Sequence, residues 1–306
     1  MKGEDIASYK VIEHGDFAYN PARINVGSIA RYDGDMQCMI SSLYVCFKAN
    51  SEIVDSELLL HILKSPKMVY NYGINGEGGV RIYLFYPNFS RIRLSLPGLQ
   101  EQQKLASFFE LIEERIAIQN KIIERYQSLI RALAQKLTSQ IKETKTLSDL
   151  VQYTPSALKE SDTQEVGNVP VYGASGVCGY VDSPMSGEDS ILITKDGSGV
   201  GTTRYVSGQH AFVGTLASLS AKEETFLPYV YFVLMNFNFS AYKTGLAIPH
   251  IYFKDYGKAE IPCPTYAEQV RIAAGLMKME EKLGIENSTL NNLLQQKNNL
   301  LKQLFI

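Results

Sequence analysis

Two stretches of this chain carry side chains suited to recognition. Lys195, Asp196, Ser198, Thr202, Thr203 and Arg204 lie in the run ILITKDGSGVGTTRYV, crowded around glycines, and Lys243, Thr244 and His250 lie in KTGLAIPH. Lys, Arg, Ser and Thr can hold phosphate oxygens, while His, Arg, Asn and Asp can read base edges in the major groove, so the pattern fits contact with a nucleic acid. A second set of the same types occurs earlier: Asn20, Arg23, Asn25, Ser28 and Arg31, then Asn75 and Arg81. For each position the alternative is a solvated turn residue, and for His250 a structural role in its loop.

Bond-making chemistry finds no support in the sequence. GSGVGT at 197–202 is similar to a nucleotide-binding glycine loop, but it opens into the strand-like TTRYV, not a helix, and no lysine followed by Ser or Thr closes it. YNPAR at 19–23 is similar to the Asn-Pro-Pro-aromatic motif of amino-methyltransferases without its second proline or its aromatic. No PD and ExK pair marks a nuclease. His14, His61, His210 and His250 have no pairwise spacing suited to a metal, and Cys38, Cys46, Cys178 and Cys263 have no CxxC spacing and read as buried thiols. No catalytic residue and no metal ligand is assigned.

The elements that must position the recognition residues come from a repeat. LSLPGLQEQQKLASFFELIEERIAIQN, starting at Leu94, lies over IPCPTYAEQVRIAAGLMKMEEKLGIEN, starting at Ile261, at a constant offset of 167 residues. Pro97 meets Pro264, Glu101 and Gln102 meet Glu268 and Gln269, Ala106 meets Ala273, and Asn120 meets Asn287. A proline ahead of the Glu-Gln pair marks entry into a helix, and no further proline interrupts either stretch, so both copies read as long helices. Their apolar residues form heptad seams: Leu105, Ile112, Ile116, Ile123, Ile130 and Leu137 in one, Ile272, Met279, Leu283, Leu290, Leu300 and Leu304 in the other. Gln119, Glu286 and Lys297 are polar entries on these seams, either fixing register or facing solvent. Pairing within one chain is entropically easier than recruiting a second, which favours an intramolecular antiparallel coiled coil. A helix of about 42 residues would span roughly 60 Å and carry the globular segments to opposite ends.

The fold class expected is α/β (α+β) globular segments joined by these helices. Residues 1–95 form the first segment, 96–146 the first helix, 147–262 the second segment and 263–306 the second helix. Strands are expected at Ile191–Thr194, at Thr202–Val206 and in GTLASLSA, a helix from Leu227, and extended structure through IPHIYFKDY and AEIPCP. HGDFAYNPARINVGSIARY, SELLLHILKSPKMVYNY and RIYLFYPNFSRIRLSLP repeat this design in the first segment, whereas residues 1–13 match nothing between Leu147 and Gly187. The first segment reads as shortened by roughly thirty residues. At 306 residues with 45% hydrophobic and 20% charged content, the chain reads as a globular protein of two domains. It has no membrane-spanning run or signal peptide, and a cytoplasmic location is expected. The net charge of −2 places any basic surface in local clusters.

The arrangement resembles the specificity subunit of type I restriction-modification systems over nearly the whole chain. LPGLQEQQKLASFF and CPTYAEQVRIAAGL are similar to the openings of that family's spacer helices, and GDFAYNPARINVGSI and ILITKDGSGVGTTRYV to the central loop of its target recognition domains. The resemblance implies a non-catalytic subunit whose two recognition domains, the first of them truncated, each read one half of a split double-stranded DNA sequence. It implies docking of two methyltransferase subunits that supply S-adenosylmethionine chemistry, joined by a restriction and translocase subunit, and no membrane. Because the first segment departs from the family's full length, two alternatives stand: an assembly or decoy subunit without two-part recognition, and self-association through an exposed helix seam.

Overall fold

The computed structural model describes residues 8–79, 81–245 and 247–304, with the side chain of Leu304 outside the described residues. Along the chain run β1 (Lys10–Ile12), β2 (Phe17–Tyr19), β3 (Ile29–Arg31), β4 (Cys38–Ile40) and β5 (Val45–Phe47), then α1 (Ser56–Leu63), α2 (Pro66–Asn75), α3 (Tyr86–Phe89) and the long α4 (Leu99–Thr138). There follow β6 (Thr144–Thr146), α5 (Leu147–Leu150), β7 (Val151–Pro155), β8 (Val169–Gly173), β9 (Gly176–Val181), β10 (Ser190–Thr194), β11 (Thr203–Val206), β12 (Ala211–Phe212) and β13 (Leu216–Ala221). The chain continues through α6 (Leu227–Leu234), α7 (Phe253–Tyr256), β14 (Glu260–Pro262) and the long α8 (Tyr266–Leu304). It divides into two compact units, residues 1–121 with 286–306, and residues 122–285.

In the second unit β10 is in the middle of an antiparallel sheet ordered β11-β10-β13-β7. All five of its residues are buried, which is why Ile191, Leu192 and Ile193 follow one another without a polar residue between them. A smaller sheet, β12-β8-β9, lies beside it in sequence, and β6 pairs with β14 at the start of α8. The core joins Ile191, Ile193, Leu219, Val230 and Phe232 to Ile130, Ala134, Ala273 and Leu276 of the long helices.

The first unit repeats part of this plan. Its sheet is ordered β3-β2-β5, and the backbone bond from Asn20 N–H to Ser28 O at 3.1 Å matches that from Thr194 N–H to Thr202 O at 2.9 Å. Among the described residues it has no counterpart of β7, β8 and β9; instead β1 pairs with β4. Helix α1 is capped by Asp55, whose carboxylate accepts from the Glu57 and Leu58 amides, and α2 by Ser65 followed by Pro66 at its first position. Phe17, Tyr19, Leu58, Ile62 and Tyr72 pack against Ala106, Phe109 and Leu301.

The second residue of each Glu-Gln pair has a specific job. Gln102, 1% exposed, donates from Nε2 to Pro97 O and Ile53 O, and its Oε1 accepts from Asp55 N–H at 2.9 Å. Gln269, 2% exposed, donates to Pro264 O and Glu224 O and accepts from Phe226 N–H at 2.9 Å. In both units one buried amide thus ties the first turn of a long helix to the start of α1 or α6.

The long helices pair antiparallel. In the first unit Gln119 Nε2 donates to Glu286 Oε2 at 2.6 Å and to Glu286 O at 3.0 Å, Lys297 pairs with Glu113, and Leu105 and Ile112 share a core with Leu300. The polar seam entries Gln119 and Glu286 therefore face each other, and Lys297 faces Glu113. Ile116, Ile123 and Ile130 are buried, and Ile272, Met279, Leu283 and Leu290 half-buried. Leu137 departs from the expected seam: it is 37% exposed, and Ala134 and Thr138 are buried in its place. A helix of 3.6 residues per turn drifts about 20° per heptad against a 3.5 repeat, so over this length the buried stripe moves to neighbouring positions. The expected extended run through IPHIYFKDY also differs, since Phe253–Tyr256 turn into helix α7. The stacking of Phe253 on Tyr153 and the edge contact of Tyr256 with Phe239 pull this turn into the core.

Candidate nucleic-acid interface

In the second unit two loops are zipped together by backbone bonds. Gly197 N–H donates to Pro249 O at 2.9 Å and Ile251 N–H to Lys195 O at 3.0 Å, while Thr244 and His250 exchange bonds of 2.9 and 2.7 Å. Gly197 and Gly201 adopt left-handed φ of 96° and 90°, which the tight path between β10 and β11 requires. A side chain at Gly201 would also meet the ring of Phe239.

This zip gathers Lys195, Asp196 and His250. Asp196 accepts from Lys195 Nζ at one carboxylate oxygen and contacts His250 Nδ1 at the other, both at 2.6 Å. Burial alone would raise the Asp196 pKa, but the bonds from His250 and Lys195 outweigh it and hold the carboxyl below its ordinary value. The His250 ring stacks beside Tyr252, with centroids 6.5 Å apart, and Tyr252 is half exposed with Lys254 Nζ over its face at 5.5 Å. Exposed Ser198 and Thr244 flank the cluster.

Thr202, Thr203 and Lys243 lie apart from it, around a cleft of about 350 Å³ that Arg131, Asn238 and Ser240 also line. Arg204, on β11, stacks over the Tyr172 ring at 5.7 Å. Arg131, Tyr252 and Lys254 are absent from the sequence-level candidates. Arg131 lies on a helix face that only folding brings to the cleft, whereas Tyr252 is signalled by its offset of 167 from Phe85.

In the first unit the same backbone zip recurs with other side chains. Leu84 N–H donates to Pro21 O at 3.0 Å, as Ile251 does to Lys195, and Glu77 and Tyr83 exchange two bonds of 2.8 Å, as Thr244 and His250 do. Pro21 and Tyr83 thus stand where Lys195 and His250 stand in the second unit. Tyr83 stacks on half-exposed Phe85 at 6.1 Å. Asn20, Arg23, Asn25 and Ser28 share the turn between β2 and β3, with Arg23 exposed and Asn20 Oδ1 accepting from Ala22 N–H. Arg81 is exposed in the adjoining loop, and Asn75 donates to Asn71 O.

Arg31 differs from the expectation. Its guanidinium, with a side chain 15% exposed, is held by Asp33 at 2.6 Å, Glu57 at 2.5 Å and Ser56 at 3.1 Å. Three internal acceptors leave it tying β3 to α1 and not reaching outward. Among the described residues no His, Cys, Asp and Glu group is placed to share a metal ion, and no helix is long and apolar enough to cross a membrane.

The model of the type I restriction modification DNA specificity domain matches residues 141–296. No curated protein is a significant match. Among solved structures, the S subunit of a type I restriction-modification system from M. genitalium superposes with a TM-score of 0.62 at 17% identity, over 95% of this chain and 83% of that one. A structure described as the basis of complex assembly and conformational transition of the type I R-M system gives 0.55 at 18% identity, over 96% of this chain and 82% of that one. At these identities the likeness is one of fold. The family model, which spans more than half of the 306 residues, goes further: the chain belongs to the type I restriction-modification DNA specificity family.

Proposed function

We propose that this chain is the sequence-recognition subunit of a type I restriction-modification complex and reads a two-part DNA target. In this reading 1–95 and 147–262 act as target recognition domains, and the helices of 96–146 and 263–306 fix the gap between half-sites and dock two methyltransferase subunits. A restriction and translocase subunit joins that core. The chain provides no catalytic group; S-adenosylmethionine and methyl transfer belong to the methyltransferase partners. The observation that carries the reading is the repeated backbone zip, which presents Lys195, Asp196 and His250 in one unit and Pro21, Ala22 and Tyr83 in the other. One scaffold with two side-chain sets suits two different half-sites. Phosphate contacts are assigned to Arg23, Ser28, Arg81, Lys195, Ser198, Thr202, Thr203, Arg204, Lys243 and Thr244, and base-edge contacts to Asn25, Asn75 and His250. The test is to purify the chain with cognate methyltransferase subunits and map methylation across a genome. A two-part motif is expected; a well-formed complex that methylates none overturns the reading.

A second reading is an assembly or decoy subunit that binds methyltransferase subunits without specific two-part DNA recognition. Titrating the chain against a complex carrying another specificity subunit would then lower methylation at that subunit's sites, and undiminished methylation would sink it.

A further inference from the structure

Resting on the DNA-reading role, we infer that Asp196 sets His250 as a hydrogen-bond acceptor at Nε2, and that this atom reads the exocyclic amino group of an adenine or cytosine in the major groove. His250 Nδ1 lies 2.6 Å from Asp196 Oδ1. An ionised carboxylate can only accept, so the proton between them sits on Nδ1; a neutral imidazole has one N–H, and Nε2 is left with a lone pair. The Lys195 ammonium, 2.6 Å from the other carboxylate oxygen, keeps that carboxylate ionised and so an acceptor only.

Geometry supplies the rest. The His250 side chain is 36% exposed, and Nε2 has no partner among the described residues. Its backbone is fixed on both sides by the zip to Lys195 and Gly197 and by the pair of bonds to Thr244, and its ring rests beside Tyr252. A rigidly aimed acceptor on a loop tip is matched by adenine N6 or cytosine N4, which donate, and is mismatched by guanine O6/N7 and thymine O4, which accept. The first unit has Tyr83 and Ala22 at these places, so this selection is confined to the half-site read by the second unit.

The experiment uses the chain assembled with its methyltransferase subunits. The wild-type motif is mapped first, followed by those of His250→Ala and Asp196→Asn, with assembly of each complex measured separately. One position of one half-site should be restricted to adenine or cytosine on the contacted strand in wild type and become degenerate in His250→Ala, while every other position is unchanged. Asp196→Asn, which permits either ring tautomer, should extend the same position to guanine or thymine; it decides the matter if His250→Ala fails to assemble. On synthetic duplexes, replacing that base with its analogue lacking the amino group should weaken wild-type binding roughly tenfold or more and leave His250→Ala indifferent. A wild-type complex with no two-part motif refutes the DNA-reading role itself. A wild-type motif unaltered by either variant refutes only this assignment.

Discussion

Gln119 and Glu286 occupy the same place in the two copies of the helical repeat, and they are hydrogen-bonded to each other at 2.6 Å. Gln119 is 8% exposed and donates from its amide to both the carboxylate and the main chain of its counterpart. Together with the Lys297 and Glu113 pair, this contact makes one register of the antiparallel helices better than its neighbours. A slide of one heptad would set Gln119 against apolar side chains and leave a buried amide unpaired.

Gln119→Ala should therefore cost about 1–2 kcal/mol in urea denaturation, since Glu286 loses its donor. Replacing both partners by leucine should recover most of that loss, because a well-packed apolar pair avoids the desolvation of the polar one. A double-mutant cycle gives the coupling energy, and a value indistinguishable from zero would refute a register role.

The two buried glutamines should behave alike. Gln269→Ala leaves the Phe226 amide and two carbonyls without a partner and should cost about 1–3 kcal/mol, as should Gln102→Ala through the Asp55 amide. Hydrogen exchange should accelerate first at Phe226 or Asp55. Uniform acceleration across the unit would show that the amide does not act locally.

His61 offers a pH-dependent test. Burial, assisted by Lys297, holds its pKa below the ordinary 6.5, and its Nε2 lacks a hydrogen bond. The folded state thus prefers the neutral ring: the stabilisation is full above pH 6.5 and is lost as pH falls through the lowered value. The corresponding position in α6 is Phe232. His61→Phe should raise the melting temperature by a few degrees and flatten its decline below pH 6.5. An unchanged acid limb would place the titrating group elsewhere.

Arg31 and Lys243 should separate stability from DNA affinity. Arg31→Ala breaks contacts to Asp33, Glu57 and Ser56 and should lower stability. Lys243→Ala, at an exposed cleft residue, should leave stability alone and reduce the salt slope of DNA binding by about 1. Affinity measured from low to high salt distinguishes them; an unaffected slope in the Lys243 variant would remove it from the interface.

The sequence by itself determined the repeat and both long helices, because heptad spacing, proline placement and gap-free matching are local or periodic signals, and the entropy of pairing within one chain favoured their antiparallel partnership. It also located β10, β11, β13 and α6. It matched Gln102 with Gln269 without revealing that each clamps a helix turn to a distant loop, since a hydrogen bond across 47 residues leaves no periodic trace. Only the tertiary structure decided that Leu137 turns outward, that Arg31 is consumed internally, and that Lys195, Asp196 and His250 form one cluster while Thr202, Thr203 and Lys243 border another. Side-chain chemistry can be read along a chain, but which donor finds which acceptor depends on how its loops close. Here that closure is made by backbone bonds, to which the side chains it brings together contribute nothing in sequence.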